Sequence, residues 1–354
     1  MQPPLPPFLR VSKVLAVLSR ASFRYSLSCV PWAETKLIDR IRKLAPNGAG
    51  RGVIQGIGDD CAVLRLSPSS RDELLITTDL CVENVHFRRA WHPPRSVGHR
   101  CLARGLSDIA AMGGEPLGCF LSLGLTSQLP QRWVDAFLDG LLRLARRFKV
   151  SLAGGDISAS RQIVADIVVA GRVPRGKALL RSGARPGDLI YVTGALGGSA
   201  AVLNGLYAGK RASTLASSAH FYPQPRVEIG NWLRRRGLAN AMIDLSDGLS
   251  TDLAHICRES HVTAAIRAAN VPVAKGADLA LALHGGEDYE LLFTARPGAR
   301  IPSLMDRVEV TEIGSIGSAK DYSSAIQILD ENGHRQTLRP QGWEHFRKRI
   351  QKRR

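Results

Sequence analysis

The stretch AMIDLSDGLSTDLAHIC, residues 241–257, joins a short apolar run, an acidic turn and a helical pattern, and this succession decides the fold. The run predicts a strand, the turn carries Asp244 and Asp247, and the apolar spacing after it predicts a helix. Outward from it, DLIYVTG (188–194) and YELLFTA (289–295) predict further strands, the latter closing this half of the chain. Strands alternating with helices indicate an α/β or α+β domain.

The same alternation fills the first half of the chain. Leu37, Ile38, Ile41 and Leu44 recur at helical spacing, so we expect an amphipathic helix over Glu34–Leu44 to open the folded part. The further expected elements are strands at 74–80, 116–126 and 163–171, and helices at 96–112 and 133–148. The mixed order again favours an α/β class.

Length and breaker residues predict how the chain divides. At 354 residues it exceeds what one core usually fills, which favours two domains. Proline, glycine and basic residues cluster in VPRGKALLRSGARPGD, where a domain boundary would fall. The expected division is a basic, flexible extension at 1–33, an N-terminal domain at 34–173, a C-terminal α/β domain at 181–333 and a C-terminal segment with a basic tail at 334–354.

Composition excludes several classes of protein. Hydrophobic residues make up 44% of the chain, which is too apolar for a disordered protein. No stretch approaches 18 uninterrupted apolar residues, so we expect no membrane-spanning helix. The six cysteines show no zinc-binding spacing and fit reduced thiols in a cytoplasmic protein.

The net charge of +17 suggests a polyanionic partner, and a nucleic-acid-binding protein is one alternative. Much of this charge lies in the tails, because residues 1–33 contain no acid and the chain ends RKRIQKRR. Zinc-finger spacing and an RNP-like aromatic strand are both missing from the sequence. We therefore expect no specific nucleic-acid partner, and any binding to be non-specific, salt-dependent and lost when 347–354 are removed.

Acidic residues recur at glycine-rich or strand-end positions, and they are the candidate chemistry of the chain. They lie in GIGDD, TTD, GGD and DLSDG, with Asp108 on an otherwise apolar helix. One such aspartate is more often a turn cap than a ligand, but five sites together favour Mg²⁺ bridging protein and phosphates. The string from Gly171 to Lys177 lacks the Ser or Thr of a P-loop, and GALGGSA lacks the Rossmann spacing.

Eight motifs resemble those of the bacterial thiamine-monophosphate kinases, in the family's order, over about residues 34–346. They are GIGDDCAVL, TTDLCVENVHF, SDIAAMGGEP, LAGGD, RSGARPGDLIYVTG, IDLSDGLSTDL, HGGEDYELLFT and GWEHF. The resemblance implies the two-domain fold of the aminoimidazole ribonucleotide synthetase superfamily, with a homodimer formed through strands of the N-terminal domain. It also implies ATP-dependent phosphorylation of thiamine monophosphate to thiamine diphosphate in the cytoplasm, with ATP as co-substrate and several Mg²⁺ ions.

The resemblance also implies roles for individual residues. The magnesium ligands would be Asp59, Thr77, Thr78, Asp79, Asp108, Asp156, Asp244 and Asp247. The ATP contacts would be Gly155, Asp156, Arg181 and Ser246, and the substrate contacts His86, Glu287 and Trp343.

Each of these roles has a plainer alternative. His86 could be an ordinary loop histidine, Arg181 a solvated linker residue, and Trp343 a cap on the core. We interpret Asp60 as capping a turn. No general base is expected, because the attacking phosphate oxygen is already anionic. Selenophosphate synthetase and the purine enzyme of the same superfamily fit less well, since the reactive Cys or Lys of the former is missing and GGEDYEL favours the thiamine kinases.

Overall fold

The computed structural model describes residues 34–44, 52–211, 218–319 and 326–344. The expectations for the extension 1–33 and for the basic tail 347–354 lie outside these residues. Within the described ranges the chain forms two mixed sheets with helices packed against them. None of the helices in these ranges is both long and apolar enough to cross a membrane.

The first sheet contains six strands in the order β1-β2-β3-β6-β4-β5. Its elements are α1 (Glu34–Leu44), β1 (Val53–Gln55), β2 (Ala62–Leu64), β3 (Asp72–Val82), α2 (Pro94–Ala111), β4 (Glu115–Leu125), α3 (Gln131–Arg147), β5 (Ser151–Ala159) and β6 (Val164–Pro174). β4 and β5 run parallel and the other neighbours antiparallel. β2 pairs only with Leu74–Ile76 of β3, so β3 continues beyond its partner on that side.

Helix α2 is the centre of the first half. Proline at its first position suits a helix start, because the missing N–H would have no partner there. From Ser96 to Ala111 every residue is buried except Arg104 and Asp108. A helix buried on nearly all sides lies inside a core, so these two charged residues mark where α2 meets a cavity.

The second sheet contains eight strands, seven of them in the order β14-β13-β9-β12-β7-β10-β8, with β11 paired to β12. Its elements are β7 (Leu189–Thr193), α4 (Gly198–Tyr207), α5 (Val227–Arg236), β8 (Ala241–Asp244), α6 (Leu249–Ser260), β9 (Val262–Arg267), α7 (Leu279–His284), β10 (Leu291–Ala295), β11 (Leu304–Met305), β12 (Val308–Ser318), β13 (Ile326–Leu329) and β14 (Arg335–Thr337). β9 and β13 run parallel, and the other pairs are antiparallel.

The two halves share one hydrophobic core. Ile109 of α2, Leu233 of α5 and Phe293 of β10 belong to the same buried cluster. Helix α5 approaches α2 so closely that a Cβ on Gly230 would lie 2.0 Å from the carbonyl oxygen of Ala110. The division into domains at 173 and 181 therefore stays a prediction, although the two sheets separate between Pro174 and Leu189.

The α/β class and most expected elements are confirmed. Helix α1 has the expected bounds, α2 and α3 lie within two residues of theirs, and the strand, turn and helix of 241–257 are all present. The expectation that 289–295 closes the second half is wrong, because β11 to β14 follow it. β14 lies in the segment that we assigned to the C-terminal tail and pairs with β13.

Two of the four acidic motifs lie inside strands. Thr77, Thr78 and Asp79 belong to the strand expected at 74–80, which continues to Val82 as β3, and Gly154, Gly155 and Asp156 lie inside β5. Glycine and aspartate are poor strand formers, which is why GGD predicted no strand. β5 is an edge strand whose residues are almost all exposed, so no apolar alternation marked it in the sequence.

Candidate functional site

A cavity of about 930 Å³ lies between the two halves of the molecule. Nine of the site residues expected from the sequence line it: Thr78, Asp79, His86, Asp108, Asp244, Ser246, Asp247, Glu287 and Trp343. They come from β3, α2 and β8, from the loops after β3, β8 and α7, and from the segment after β14. The fold thus collects into one cavity residues that are far apart in the sequence.

Strand β3 brings side chains to the cavity from both of its faces, since successive residues of a strand point to opposite sides. Thr77 is buried and its hydroxyl donates a hydrogen bond to Asp108 on α2. Thr78 faces the other way and its hydroxyl donates to Asp166 Oδ1 of β6 at 2.8 Å. Asp79 accepts a hydrogen bond from Arg104 Nε at 3.3 Å.

Three carboxylates form a cluster beside the cavity, two of them buried and that of Asp108 half-buried. One oxygen each from Asp60, Asp108 and Asp244 lies within 4.8 Å of the others. Ser107 donates to Asp244 Oδ2 at 2.6 Å. Burial raises the pKa of Asp244 to about 8, and nearby Asp60 adds to this effect. Burial also raises the pKa of Asp108 well above its usual range, helped by Asp79 and Asp244.

This carboxylate cluster fits a divalent cation. Asp60 Oδ2 is buried and accepts no hydrogen bond from any residue that the structure describes. Burial disfavours the ionised form of each carboxylate most strongly, and the neighbouring negative charges add to this effect, so the cluster ionises fully only with a compensating positive charge. Clustered carboxylate oxygens are the ligands that Mg²⁺ prefers. Asp60, which we interpreted as a turn cap, therefore belongs to the candidate metal site.

Arg181 and Asp59 lie behind this cluster and do not line the cavity. The Arg181 guanidinium pairs with Asp60, and its backbone N–H donates to Asp59 Oδ2 at 3.2 Å. Burial and the neighbouring Asp60 raise the pKa of Asp59 to about 7. Arg181 is thus a buried partner of the cluster rather than a solvated linker residue.

The turn after β8 adds a second group of possible ligands. Asp247, Asp252 and His255 each place one ligand atom within 4.8 Å of the others. Asp252 Oδ2 accepts hydrogen bonds from the backbone N–H groups of Asp247 at 3.2 Å and of Gly248 at 3.0 Å. Asp252 therefore fixes the turn, while Asp247 lines the cavity. Burial and Glu34 raise the pKa of Asp247 to about 6.

His86, Glu287 and Trp343 also line the cavity, and we call their part of the lining the Glu287 end. It adjoins the turn after β8, because the backbone N–H of Glu287 donates to the carbonyl of Ser246 at 2.7 Å. His86 Nδ1 accepts a hydrogen bond from the backbone N–H of Val82 at 3.0 Å. Burial alone would raise the pKa of Glu287, but the Arg100 guanidinium 2.6 Å away and other nearby cations lower it to about 2. Trp343 remains 40% exposed, and its backbone N–H donates to the carbonyl of Asp247. An ionised carboxylate and an aromatic face thus share this end.

Gly155 and Asp156 lie apart from the cavity, on the exposed strand β5. Asp156 stands opposite Ser122 of β4, which stands opposite Asp166 of β6, so the three residues form a row across the sheet. A Cβ on Gly155 would lie 1.8 Å from the carbonyl oxygen of Leu121. That position therefore requires glycine for packing.

Sequence reasoning missed several residues that line the cavity. They include Arg88, Trp91, His92, Arg104, Asp166, Ser199, Tyr207 and His220. For Arg104 a signal was present, because it lies four residues before Asp108 on an apolar helix and therefore on the same face. For the others there was none, since their proximity depends on the packing of α4 and the loop after it against the loop before α2, and on the pairing of β6 with β3.

Two models of AIR synthase related protein match the chain, the N-terminal domain over residues 58–173 and the C-terminal domain over 185–327. The thiamine-monophosphate kinase of Escherichia coli K12 is 37% identical over 313 residues, which cover 82% of this chain and 91% of that protein. The enzyme of the same name from Bacillus subtilis is 30% identical over 329 residues, covering 87% and 99%. A solved structure described as AaThiL complexed with AMPPCP and TMP superposes with a TM-score of 0.77 at 31% identity, covering 88% of this chain and 97% of that one. By these matches the chain belongs to the thiamine-monophosphate kinase family of the AIR synthase related proteins.

Proposed function

We propose that the chain transfers the γ-phosphoryl group of ATP to thiamine monophosphate and so forms thiamine diphosphate. The observation that carries this proposal is a cavity whose lining includes Asp108 and Asp244 of the carboxylate cluster together with Glu287 and Trp343. The relatives named thiamine-monophosphate kinase and the ThiL complex with AMPPCP and TMP support the same reaction.

We assign metal binding to the carboxylate cluster and to the other expected ligands, of which Asp59, Thr77 and Asp156 do not line the cavity. The assigned residues are those expected from the sequence, Asp59, Thr77, Thr78, Asp79, Asp108, Asp156, Asp244 and Asp247, together with Asp60. Mg²⁺ bound there would neutralise phosphate charge and fix the geometry of the two phosphate chains. Thr77 orients Asp108, and Ser107 orients Asp244, through the hydrogen bonds described above.

The acceptor needs no general base, because its phosphate oxygen is anionic near neutral pH. The histidines in the cavity agree with this. His92 and His220 contact each other at 3.1 Å, and burial with nearby Arg100 lowers their pKa values to about 4 and about 3. Both rings therefore remain neutral, and Ser199 occupies Nδ1 of His220 at 2.9 Å. The chain's task is to position the two substrates.

We place the ring system of thiamine monophosphate at the Glu287 end. The low pKa of Glu287 keeps its carboxylate ionised, which suits a cationic thiazolium. Trp343 offers an aromatic face, on which a cation or a heterocycle stacks favourably. His86 and Val82 hold the adjoining loop through their hydrogen bond. The acceptor phosphate then points towards the carboxylate cluster.

For ATP we propose contacts with Gly155, Asp156, Arg181 and Ser246, of which Ser246 lines the cavity. Gly155 and Asp156 lie on β5, on an exposed part of the first sheet. Ile157 on that strand is 73% exposed, Phe120 of the neighbouring β4 is 45% exposed, and Leu80 of β3, two strands beyond β4, is 52% exposed. Apolar exposure at a sheet edge favours pairing with another chain. We therefore propose a homodimer formed through these strands, next to the ATP contacts.

We also propose that the protein works in the cytoplasm. The described cysteines, Cys61, Cys81, Cys101, Cys119 and Cys257, are buried and form no disulfide. Free thiols suit a reducing compartment.

Product formation tests the function directly. The purified full-length chain would be incubated with ATP, Mg²⁺ and thiamine monophosphate, and thiamine diphosphate followed by chromatography. We expect product that depends on Mg²⁺ and stops with EDTA. Asp247→Ala should abolish turnover while circular dichroism shows a folded protein, whereas Asp135→Ala on the exposed face of α3 should not change the rate.

Two outcomes would contradict the proposal in different ways. Binding of ATP without formation of thiamine diphosphate would leave the fold and metal assignment intact and move the acceptor to that of another superfamily member. Retention of the full rate by Asp247→Ala at saturating Mg²⁺ would contradict the metal assignment itself.

A further inference from the structure

We infer that Arg104 binds the phosphate of the acceptor and thereby sets the preference of the cavity for thiamine monophosphate over thiamine. This inference rests on the proposed function, because it assumes that the acceptor enters the cavity. It assigns a specificity-determining role to a residue of α2 that neither the sequence motifs nor the carboxylate cluster includes.

The position of Arg104 on α2 is the first support. Between Ser96 and Ala111 only Arg104 and Asp108 are not fully buried, and both line the cavity. They are four residues apart and therefore neighbours on one face of the helix. A charged side chain on a core helix is costly to bury unless it finds a partner. Its side chain is 17% exposed, and the cavity supplies the space where such a partner can bind.

Arg104 contacts one residue of the proposed metal site and one residue of the proposed substrate site. Its Nε donates to Asp79 Oδ1 at 3.3 Å, and its Nη1 lies 4.0 Å from Glu287 Oε1. Asp79 belongs to the proposed metal site and Glu287 to the proposed substrate site. Among the described residues Arg104 makes no further hydrogen bond, so most of its N–H donors are available to a ligand.

The other cations near the cavity are already engaged. Arg100 is buried and bonds Glu287 at 2.6 Å, and it also donates to the backbone carbonyl groups of His86 and His220. Arg88 lies 4.5 Å over the ring of Trp91 and 5.2 Å over that of Tyr207. Arg88 and Arg104 are the two permanent cations among the described residues of the cavity lining. Of these, Arg104 is the one next to the carboxylate cluster.

The chemistry of the acceptor makes this position decisive. Its phosphate must lie between its ring system and the phosphoryl group that it attacks, because the attack is in line. Arg104 contacts a residue assigned to each of those two groups. A guanidinium matches phosphate oxygens with paired N–H donors and keeps its charge at every working pH. Arg104 would therefore offset the repulsion between two phosphate anions and recognise a group that thiamine lacks.

The test compares two ligands that differ only in this phosphate. Calorimetric titrations in EDTA and without nucleotide would give Kd values for thiamine monophosphate and thiamine, with wild-type protein and Arg104→Gln. We expect wild type to prefer the monophosphate and Arg104→Gln to lose about tenfold or more of that preference, the typical effect of a hydrogen bond to a charged group. The Kd for ADP should stay within about twofold.

Arg88→Gln is the matched control, because it removes the other cavity arginine from its place over Trp91 and Tyr207. We expect this variant to weaken the binding of both ligands by the same factor and to leave their Kd ratio unchanged. Arg104→Lys keeps the charge without the planar fork and should retain part of the preference. If Arg104→Gln does not fold, the Kd ratio of the two ligands in Arg104→Lys tests the inference instead. A Kd ratio in that variant equal to the wild-type ratio overturns the inference.

A different result would assign Arg104 a purely structural role. If Arg104→Gln lowers the melting temperature but preserves the ligand ratio, the residue is only a counter-ion for Asp79 and Glu287, and the inference is wrong. Wild-type protein that binds neither ligand and forms no thiamine diphosphate would instead contradict the proposed function. The two failures are therefore distinguishable.

Discussion

At the scale of single residues, the site is defined by carboxylates that only a cation can stabilise. Asp60 shows this most clearly, because one oxygen pairs with Arg181 while the other is buried without a hydrogen-bond donor among the described residues. An unpartnered buried oxygen costs free energy unless a ligand satisfies it. The second oxygen of Asp60 is therefore the atom that most directly implicates a metal.

We predict that Asp60→Asn lowers kcat by about 100-fold or more, because the amide keeps the shape but loses the charge that the metal requires. The apparent affinity for Mg²⁺ should fall in the same variant, measured as the Mg²⁺ dependence of thiamine diphosphate formation. Asp135→Asn, an exposed change on α3, is the control and should match wild type. A normal rate and normal Mg²⁺ dependence in Asp60→Asn would remove Asp60 from the metal site.

At the scale of elements, the position of α2 depends on its contact with α3. A Cβ on Gly98 would lie 1.9 Å from the carbonyl oxygen of Phe137, and a Cβ on Gly140 would lie 1.9 Å from that of Arg95. Two glycines thus let the helices approach closely at two points. This contact holds the helix that carries Arg104 and Asp108 against the cavity.

We expect Gly140→Ala to destabilise the protein by about 2 kcal/mol, because overpacking in a tight core separates the helices. Alanine is the better helix former by about 1 kcal/mol, so any net loss reports the steric contact and not helix propensity. Chemical denaturation followed by circular dichroism measures the change, with Asp135→Ala as the exposed control on the same helix. An equal or higher stability of Gly140→Ala would show that α2 and α3 separate without cost.

Most of the helices and strands were predictable from the sequence, and the exceptions have physical causes. Apolar spacing located α2 and α3 because each buries one or more faces in a core, whereas α1 has the same spacing although none of its residues is buried. It failed for β5, since an exposed edge strand containing Gly154 and Gly155 has no buried face to leave a periodic signal. Apolar spacing also gave no sign of β11 to β14, so we expected the second half to end at β10.

The same contrast holds for the site. Residue type alone made the aspartates candidate metal ligands, because few other roles collect so many aspartates next to glycines. The pairing of Arg181 with Asp60 spans 121 positions of sequence, and that of Arg100 with Glu287 spans 187. Nothing local encodes such contacts, so only the packed structure places these arginines beside the carboxylates that they neutralise.

At the scale of the whole molecule, the cavity joins two sheets at the cost of burying like charges. Asp59 and Asp244 have pKa values of about 7 and about 8, against about 4 for an unfolded aspartate. At pH values between the unfolded and the folded pKa, these carboxyl groups keep their protons in the folded state and have released them in the unfolded state. Stability without metal therefore falls as the pH rises from about 4 towards 8, and it changes little for these groups above 8.

The window from pH 7 to pH 8 isolates this effect. The pKa values of His92, His220 and His255 are lowered, mainly by burial, to about 4, about 3 and about 4, so these rings are mostly neutral in both the folded and unfolded states there. We predict that the metal-free protein loses on the order of 1 kcal/mol of unfolding free energy across that window. Asp244→Asn, which cannot ionise, should lose less.

Mg²⁺ should reverse this loss, because a bound cation favours the ionised carboxylates and must displace their remaining protons. The increase in melting temperature on adding Mg²⁺ should therefore be larger at pH 8 than at pH 7 in wild type, and the difference smaller in Asp244→Asn. Differential scanning fluorimetry measures the melting temperature at each pH in EDTA, in Mg²⁺ and in K⁺ at matched ionic strength. K⁺ should change the melting temperature little. An equal Mg²⁺ shift at both pH values would mean that the cluster binds the metal without releasing protons, and the raised pKa of Asp244 would then have no part in metal binding.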